Sequence, residues 1–206
     1  MLEMIQAGGI VLYIIIFSSI IAIGFAIERF LVFRAYRCDM NKFFPPLENF
    51  IKLGKMQEAI KYCETSRHLI PRLMYLGLLH KEESIEEIRQ VLIDEIQLKA
   101  LPSLQKRLGI LSIVAKAAPM LGLLGTVLGM ITTFEIIAMY GLGDPGKMAN
   151  GIRLALVTTA GGLMVAIPVI FIQSYLLAQV KDFEVQIYEY ITRFLRIMHK
   201  RKEVKG

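Results

Sequence analysis

The chain has 206 residues, 55% of them hydrophobic and 20% charged, against about 45–50% and 25% in an ordinary soluble domain. With a mean hydropathy of +0.53, this excludes a soluble globular domain. The +6 formal charge is confined to two segments of +3 each: 13 Lys/Arg against 10 Asp/Glu between Arg34 and Arg107, and 7 against 4 from Lys181 onward. That is the charge pattern of membrane topology and not of a nucleic-acid footprint.

Three uncharged stretches organise the rest: Gly8 to Ile27, Ala117 to Phe134 and Leu154 to Val180. Each reaches the roughly 18–20 residues that a helix needs to cross hydrocarbon. The expected fold is an all-α membrane protein whose long second and third helices extend into a cytoplasmic helical domain. The expected segments are span one over 8–33, a cytoplasmic domain over 34–108, and span two over 109–140. A short periplasmic loop over 141–151, span three over 152–180 and a cytoplasmic tail over 181–206 complete the chain. Basic flanks (Arg29, Arg34 and Arg37; Lys106 and Arg107; Lys181) place loop and tail in the cytoplasm and the N-terminus, with only Glu3, in the periplasm. The acidic start and long uncharged run predict an uncleaved anchor, not a secretory signal.

Span one is rich in Ile and Phe, fit to face lipid, and ends in Glu28-Arg29. In the cytoplasmic segment, Pro45-Pro46 predicts a helix start, with Leu47, Phe50, Ile51 and Leu53 on one face and a stop at Gly54. Lys55–Cys63 predicts a second helix and Pro71 opens a third. Ser84 with Glu87 three residues on is a capping-box pattern ahead of an amphipathic helix through Ile85, Ile88, Val91, Leu92, Ile96 and Leu98. That helix is expected to bend at Pro102 and run into span two. Cys38 and Cys63 fit no metal spacing and are expected as reduced cytoplasmic thiols. His68 and His80 lack partners at ligand spacing, and Glu82, Glu83, Glu86 and Glu87 read as a solvated face. With no phosphate loop, no G-x-S-x-G and no paired catalytic carboxylates, neither an enzyme nor a cofactor is expected.

Spans two and three differ from span one. Gly122, Thr126, Gly129 and Thr133 recur at helical spacing in the second, and Ala155, Thr159, Gly162 and Ala166 in the third. Small residues let helices approach closely in lipid, so the stripes, with the Gly125/Gly129 spacing, read as tight packing. A stripe of hydroxyls and glycines equally suits the wall of a narrow passage. Glu135 near the outer end of span two and Arg153 at the start of span three would be costly facing lipid. They are candidates for an ion pair at an outer mouth, within or between subunits; separate solvation is the alternative.

The chain resembles the ExbB/TolQ/MotA family of proton-channel (stator) proteins over nearly its whole length. The likeness rests on Glu28-Arg29-Phe30, Gly54 and Ala59, the run Ala118 to Phe134 (A-P-M-L-G-L-L-G-T-V-L-G-M-I-T-T-F), Gly143-Asp144-Pro145, Gly151-Ile152, and Ala155 to Pro168 (A-L-V-T-T-A-G-G-L-M-V-A-I-P). Three spans are similar to the ExbB/TolQ branch, since MotA has four. The resemblance implies a homopentamer in the bacterial inner membrane, with two copies of an ExbD/TolR-like single-span partner inside, each carrying a protonatable Asp. Proton flow would move that partner and act through a TonB/TolA-like transducer. The family's pore threonines carry over as Thr126 and Thr159, with Gly122, Gly125, Gly129, Thr133, Ala155, Gly162, Ala166 and Pro168 as pore-helix packing positions. A third-span glutamate found in relatives is Leu154 here, which puts any relay through it in doubt. A membrane scaffold without an ion path is the competing expectation.

Overall fold

A computed structural model describes residues 9–141 and 145–205, and no strand occurs among them. Glu3, Gly8, Gly143 and Asp144 lie outside the described residues. The helices are α1 (Gly9–Tyr36), α2 (Met40–Lys52), α3 (Met56–Glu64), α4 (Leu69–Leu79), α5 (Ile85–Glu95), a π turn (Ile96–Ala100), α6 (Leu101–Gln105), α7 (Leu108–Tyr140) and α8 (Pro145–Lys205). Three of them are long and apolar enough to cross a membrane. The chain divides into two compact units, residues 1–29 with 107–176 and residues 30–106 with 177–206.

In the first unit α1 buries one face, Leu12, Ile15, Ala22, Ala26 and Arg29, at helical spacing, and exposes Ile10, Phe17, Ile20 and Ile27. Exposed isoleucine and phenylalanine on a helix of this length are what hydrocarbon solvates well. A Cβ on Gly161 would come within 2.7 Å of Leu12 Cδ1, so α1 leans on α8 at a glycine.

The second unit has a conventional apolar core. Leu47, Ile51, Met74, Leu78, Ile88, Leu92, Ile96 and Leu104 are fully buried, together with Ile187 and Phe194 of α8. Gly77 allows the Phe194 ring in: a Cβ there would come within 2.7 Å of Cε1. Two expectations are corrected here. α2 begins at Met40, with Pro45 and Pro46 inside it, because the face that packs is Met40, Phe44, Leu47 and Ile51. Leu53 is left 72% exposed, and Phe50 stacks edge-on against Tyr62 instead. α2 does stop at Gly54, whose φ of +82° is a left-handed conformation that a glycine takes without steric cost.

The helix through Ile85 does not bend at Pro102 into the second span. A proline lacks the N–H of the helical ladder, and just before it the helix widens into the π turn, where Leu101 N–H bonds Ile96 O. Leu98, two residues or about 200° of rotation from the buried Ile96, is 74% exposed and lies off the packed face. The helix then ends at Gln105, and α7 restarts after Arg107, the one non-glycine with positive φ (+66°) among the described residues.

The capping box is complete. Ser84 Oγ accepts from Glu87 N–H at 3.2 Å, and Ser84 N–H donates to the Glu87 carboxylate at 2.7 Å. Cys63 is buried, and burial pushes its thiol up to about 12, which makes it a poor nucleophile at neutral pH.

The Ser84 N–H, and after it the Ser84 hydroxyl, hold the Glu87 carboxyl below the usual carboxylate range. A carboxylate with a depressed folded-state pKa contributes stability above its unfolded value of about 4.3, and loses it as pH falls through the folded value. Protection of the Glu87 and Ile88 amides, which bond Ser84 Oγ and Ser84 O, taken relative to intrinsic exchange at each pH, should therefore fall between pH 5 and pH 3. Glu87→Gln, which can still close the box, should abolish that pH dependence; an unchanged profile in the variant would contradict it.

Candidate functional site

In the first unit α7 and α8 run antiparallel along a seam of small residues. A Cβ built on Gly122 would come within 3.0 Å of Thr158 O and Thr159 Cα, one on Gly129 within 2.8 Å of Gly151 O, and one on Gly162 within 2.5 Å of Ala118 O. Cβ atoms on Gly125 and Gly151 would overlap Thr158 and Thr133 outright. Backbone therefore meets backbone over four turns. Gly122, Gly125, Gly129 and Thr133 of α7 are buried, as are Gly151, Ala155, Thr158, Gly162 and Ala166 of α8. Pro168 lies beyond the seam, at an apolar cavity of about 230 Å³ that it lines with Ala22, Ala26 and Leu111.

The two carried-over threonines do not sit in the seam; they border it. Gly125 and Thr158, each one residue earlier, take the buried positions, and Thr126 and Thr159 are half-buried at the edge. Every hydroxyl donor here is engaged. Thr126 Oγ1 donates to Leu123 O at 2.6 Å, Thr133 to Gly129 O at 2.9 Å, and Thr158 to Ala155 O at 2.8 Å. Thr159 is different: its hydroxyl crosses to α7 and donates to Gly122 O at 3.1 Å. That bond sets Thr159 level with Gly122, so Thr126 stands about one turn, roughly 6 Å, farther along α7.

Glu135 and Arg153 are both exposed, and among the described residues no ion pair joins them. Thr133 and Gly151 meet in the seam, and Glu135 and Arg153 each lie two residues farther along their helices. Two residues are about 200° of helical rotation, so both charges point away from the seam on opposite helices. Leu154 supplies only its carbonyl near the seam, toward the Thr158 hydroxyl at 3.1 Å.

A second cluster was not visible in the sequence as a cluster. Glu28 accepts from Arg29 Nη2 at 3.0 Å, and the same oxygen accepts from Arg107. The Arg29 side chain is 6% exposed, a buried charge that costs stability unless countered. Arg107 Cζ also lies 5.9 Å from the centre of the Phe25 ring. The strained left-handed backbone at Arg107 thus coincides with the residue that ties the start of α7 to α1. Such strain persists where surrounding contacts hold it.

Among the described residues no group of three His, Cys, Asp or Glu side chains is placed to hold a metal ion. The features present are a close-packed interhelical seam, a polar edge of two threonines, and an anchored charge cluster.

Comparison with known proteins gives these features a lineage. The model of the "MotA/TolQ/ExbB proton channel family" matches residues 65–189. A putative biopolymer transport protein ExbB homolog of Methanothermobacter thermautotrophicus is 30% identical over 186 residues, 88% of this chain and 64% of that one. The biopolymer transport protein ExbB of Aquifex aeolicus is 41% identical over 135 residues, 63% of this chain and 88% of that one. The Tol-Pal system protein TolQ of Haemophilus influenzae is 32% identical over 102 residues, 50% of this chain and 45% of that one. The chain thus spans under two thirds of the length of the first of these.

Gly125→Ala forces a methyl into Thr158, and overpacking of this kind costs about 1–3 kcal/mol. Thermal unfolding of the detergent-solubilised chain should show that loss. Gly24→Ala, where nothing lies within 4 Å, should be neutral or slightly stabilising. Equal behaviour of the two variants would show that the seam is not in close contact.

Proposed function

The chain belongs to the MotA/TolQ/ExbB proton channel family, and from that premise we propose that it forms the pentameric, proton-conducting scaffold of a motor in the bacterial inner membrane. In this reading α7 and α8 of each copy face a central lumen that holds two copies of an ExbD/TolR-like single-span partner. Proton entry shifts the partner, and a TonB/TolA-like transducer carries the motion to transport across, or upkeep of, the envelope. The loop 34–108 and the tail face the cytoplasm and the N-terminus faces the periplasm. A proton crossing 100 mV releases about 2.3 kcal/mol, so a mechanical step draws on several protons, which a ring of subunits can deliver in turn.

The observation that carries the proposal is the placement of Thr126 and Thr159 at the half-exposed edge of a seam that is otherwise glycine, alanine and buried threonine. A hydroxyl has one donor and two acceptor sites. Both donors are committed to carbonyls, so the oxygens present only lone pairs outward. They accept from a water or a protonated carboxyl and offer nothing to a carboxylate. The two threonines therefore favour the neutral, protonated form of an acid on the partner as it passes, the form in which it carries a proton across the low-dielectric layer. Glu135 and Arg153, turned away from the seam, are available to pair between copies at the outer end.

The same hydrogen bonds favour one competing reading. Threonines that satisfy themselves on backbone carbonyls are common in packed membrane helices, and a non-conducting scaffold would need no more.

Thr126→Val and Thr159→Val separate the two readings. Both should still assemble with the partner. Thr126→Val should leave stability unchanged, and Thr159→Val should lose about 0.6 kcal/mol with its interhelical bond. Proton flux into vesicles holding the assembled complex should fall about tenfold in each, the effect of losing one accepted hydrogen bond of about 1.4 kcal/mol to the protonated acid. Normal flux in both would leave the threonines as packing residues and remove the ion path proposed here.

A further inference from the structure

We infer that a cavity in the second unit holds the phosphodiester headgroup of an anionic membrane lipid. The cavity has a volume of about 510 Å³ and lies where the end of α1 meets α4 and the π turn, with Tyr36, Arg67, Arg72, Tyr75, Glu95 and Lys99 among its lining. This inference goes beyond the ion-conducting reading and stands or falls without it.

Charge is the first argument. Three cations face one carboxylate, and that carboxylate, Glu95, is held by Lys99 at 2.7 Å. Among the described residues no carboxylate lies within ion-pair distance of Arg67 or Arg72, so two guanidiniums line the cavity uncompensated. A guanidinium presents a planar fork of donors suited to two phosphate oxygens at once.

Depth is the second. Tyr36 is the last residue of the continuous helix α1, and stands three residues, about 4.5 Å, beyond Phe33, where the first span is expected to end. Tyrosines with basic residues mark the headgroup layer. Leu69, Leu73 and Leu76 of α4 form an apolar wall to the cavity, which suits a glycerol and the first acyl methylenes and would be wasted on a free phosphate. The π turn brings Lys99 and Ala100 to the rim, in keeping with the tendency of such turns to fall at functional positions.

The test uses the full chain in detergent, titrated with phosphatidylglycerol, with phosphatidylcholine of the same acyl chains, and with glycerol 3-phosphate, with bound ligand read by native mass spectrometry. Phosphatidylglycerol should bind at least tenfold more tightly than phosphatidylcholine. Arg67→Gln/Arg72→Gln should weaken phosphatidylglycerol by about 30-fold, as expected for two cations at an anionic headgroup. Helix content by circular dichroism should not change. Arg72→Lys, which keeps the charge, should lose less, and Lys61→Gln, outside the cavity, should lose nothing. Equal affinity for the two lipids, or a preference that survives the double substitution, would overturn the site. Glycerol 3-phosphate binding as tightly as the lipid would overturn the lipid assignment in favour of a soluble phosphate ligand.

Discussion

Inside a bilayer, burying leucine against leucine gains a helix almost nothing, because lipid tails are equally apolar. What holds α7 to α8 is the contact left when side chains are removed: Gly122 against the backbone of Thr158 and Thr159, Gly129 against Gly151 and Ala155, Gly162 against Ala118. Dispersion at this distance and, among the described residues, the interhelical hydrogen bond from Thr159 to Gly122 replace the hydrophobic effect. The rest of the first unit depends on that approach. It fixes the register of the two helices, and the register fixes which polar groups are sealed and which are left at the edge.

Because Gly125 and Thr158 fill the seam, Thr126 and Thr159 cannot, and their oxygens are left on its border. Because Thr133 and Gly151 touch, Glu135 and Arg153 are turned outward and apart. The charged end of the first span follows the same economy. One carboxylate, Glu28, counters a buried Arg29 and reaches Arg107 at the start of α7, so the helix that lines the seam is also tied to the helix that meets lipid. A unit built this way is rigid where backbones touch and polar only along a narrow edge, an arrangement suited to guiding a proton past a fixed wall.

Much of this was legible in the residues. Uncharged runs located the long helices, and the capping pattern at Ser84 and Glu87 fixed the start of α5. The glycine and alanine stripes coincide with the face that packs, one of the two uses the sequence left open for them. The offset of one residue that puts Gly125 and not Thr126 in the seam was not legible. At 3.6 residues per turn both lie within reach of the same face, and only the partner helix decides between them. The Glu28–Arg107 contact joins residues 79 positions apart and needs a left-handed arginine that no local pattern announces. The prolines misled in both directions: Pro45 and Pro46 sit inside a helix whose apolar face begins earlier, and Pro102 is accommodated by a π turn before the helix stops.

The central claim is that the edge beside the seam faces water while α1 faces lipid. Its most direct test is the reaction of single cysteines with a small, water-soluble thiol reagent, in the assembled complex with Cys38 and Cys63 replaced. Cysteines at Thr126 and Thr159 should be modified, and one at Phe17, 66% exposed on α1, should be protected by hydrocarbon, where a thiolate does not form. Protection at both threonine positions, matching that at Phe17, would contradict an aqueous path along this edge.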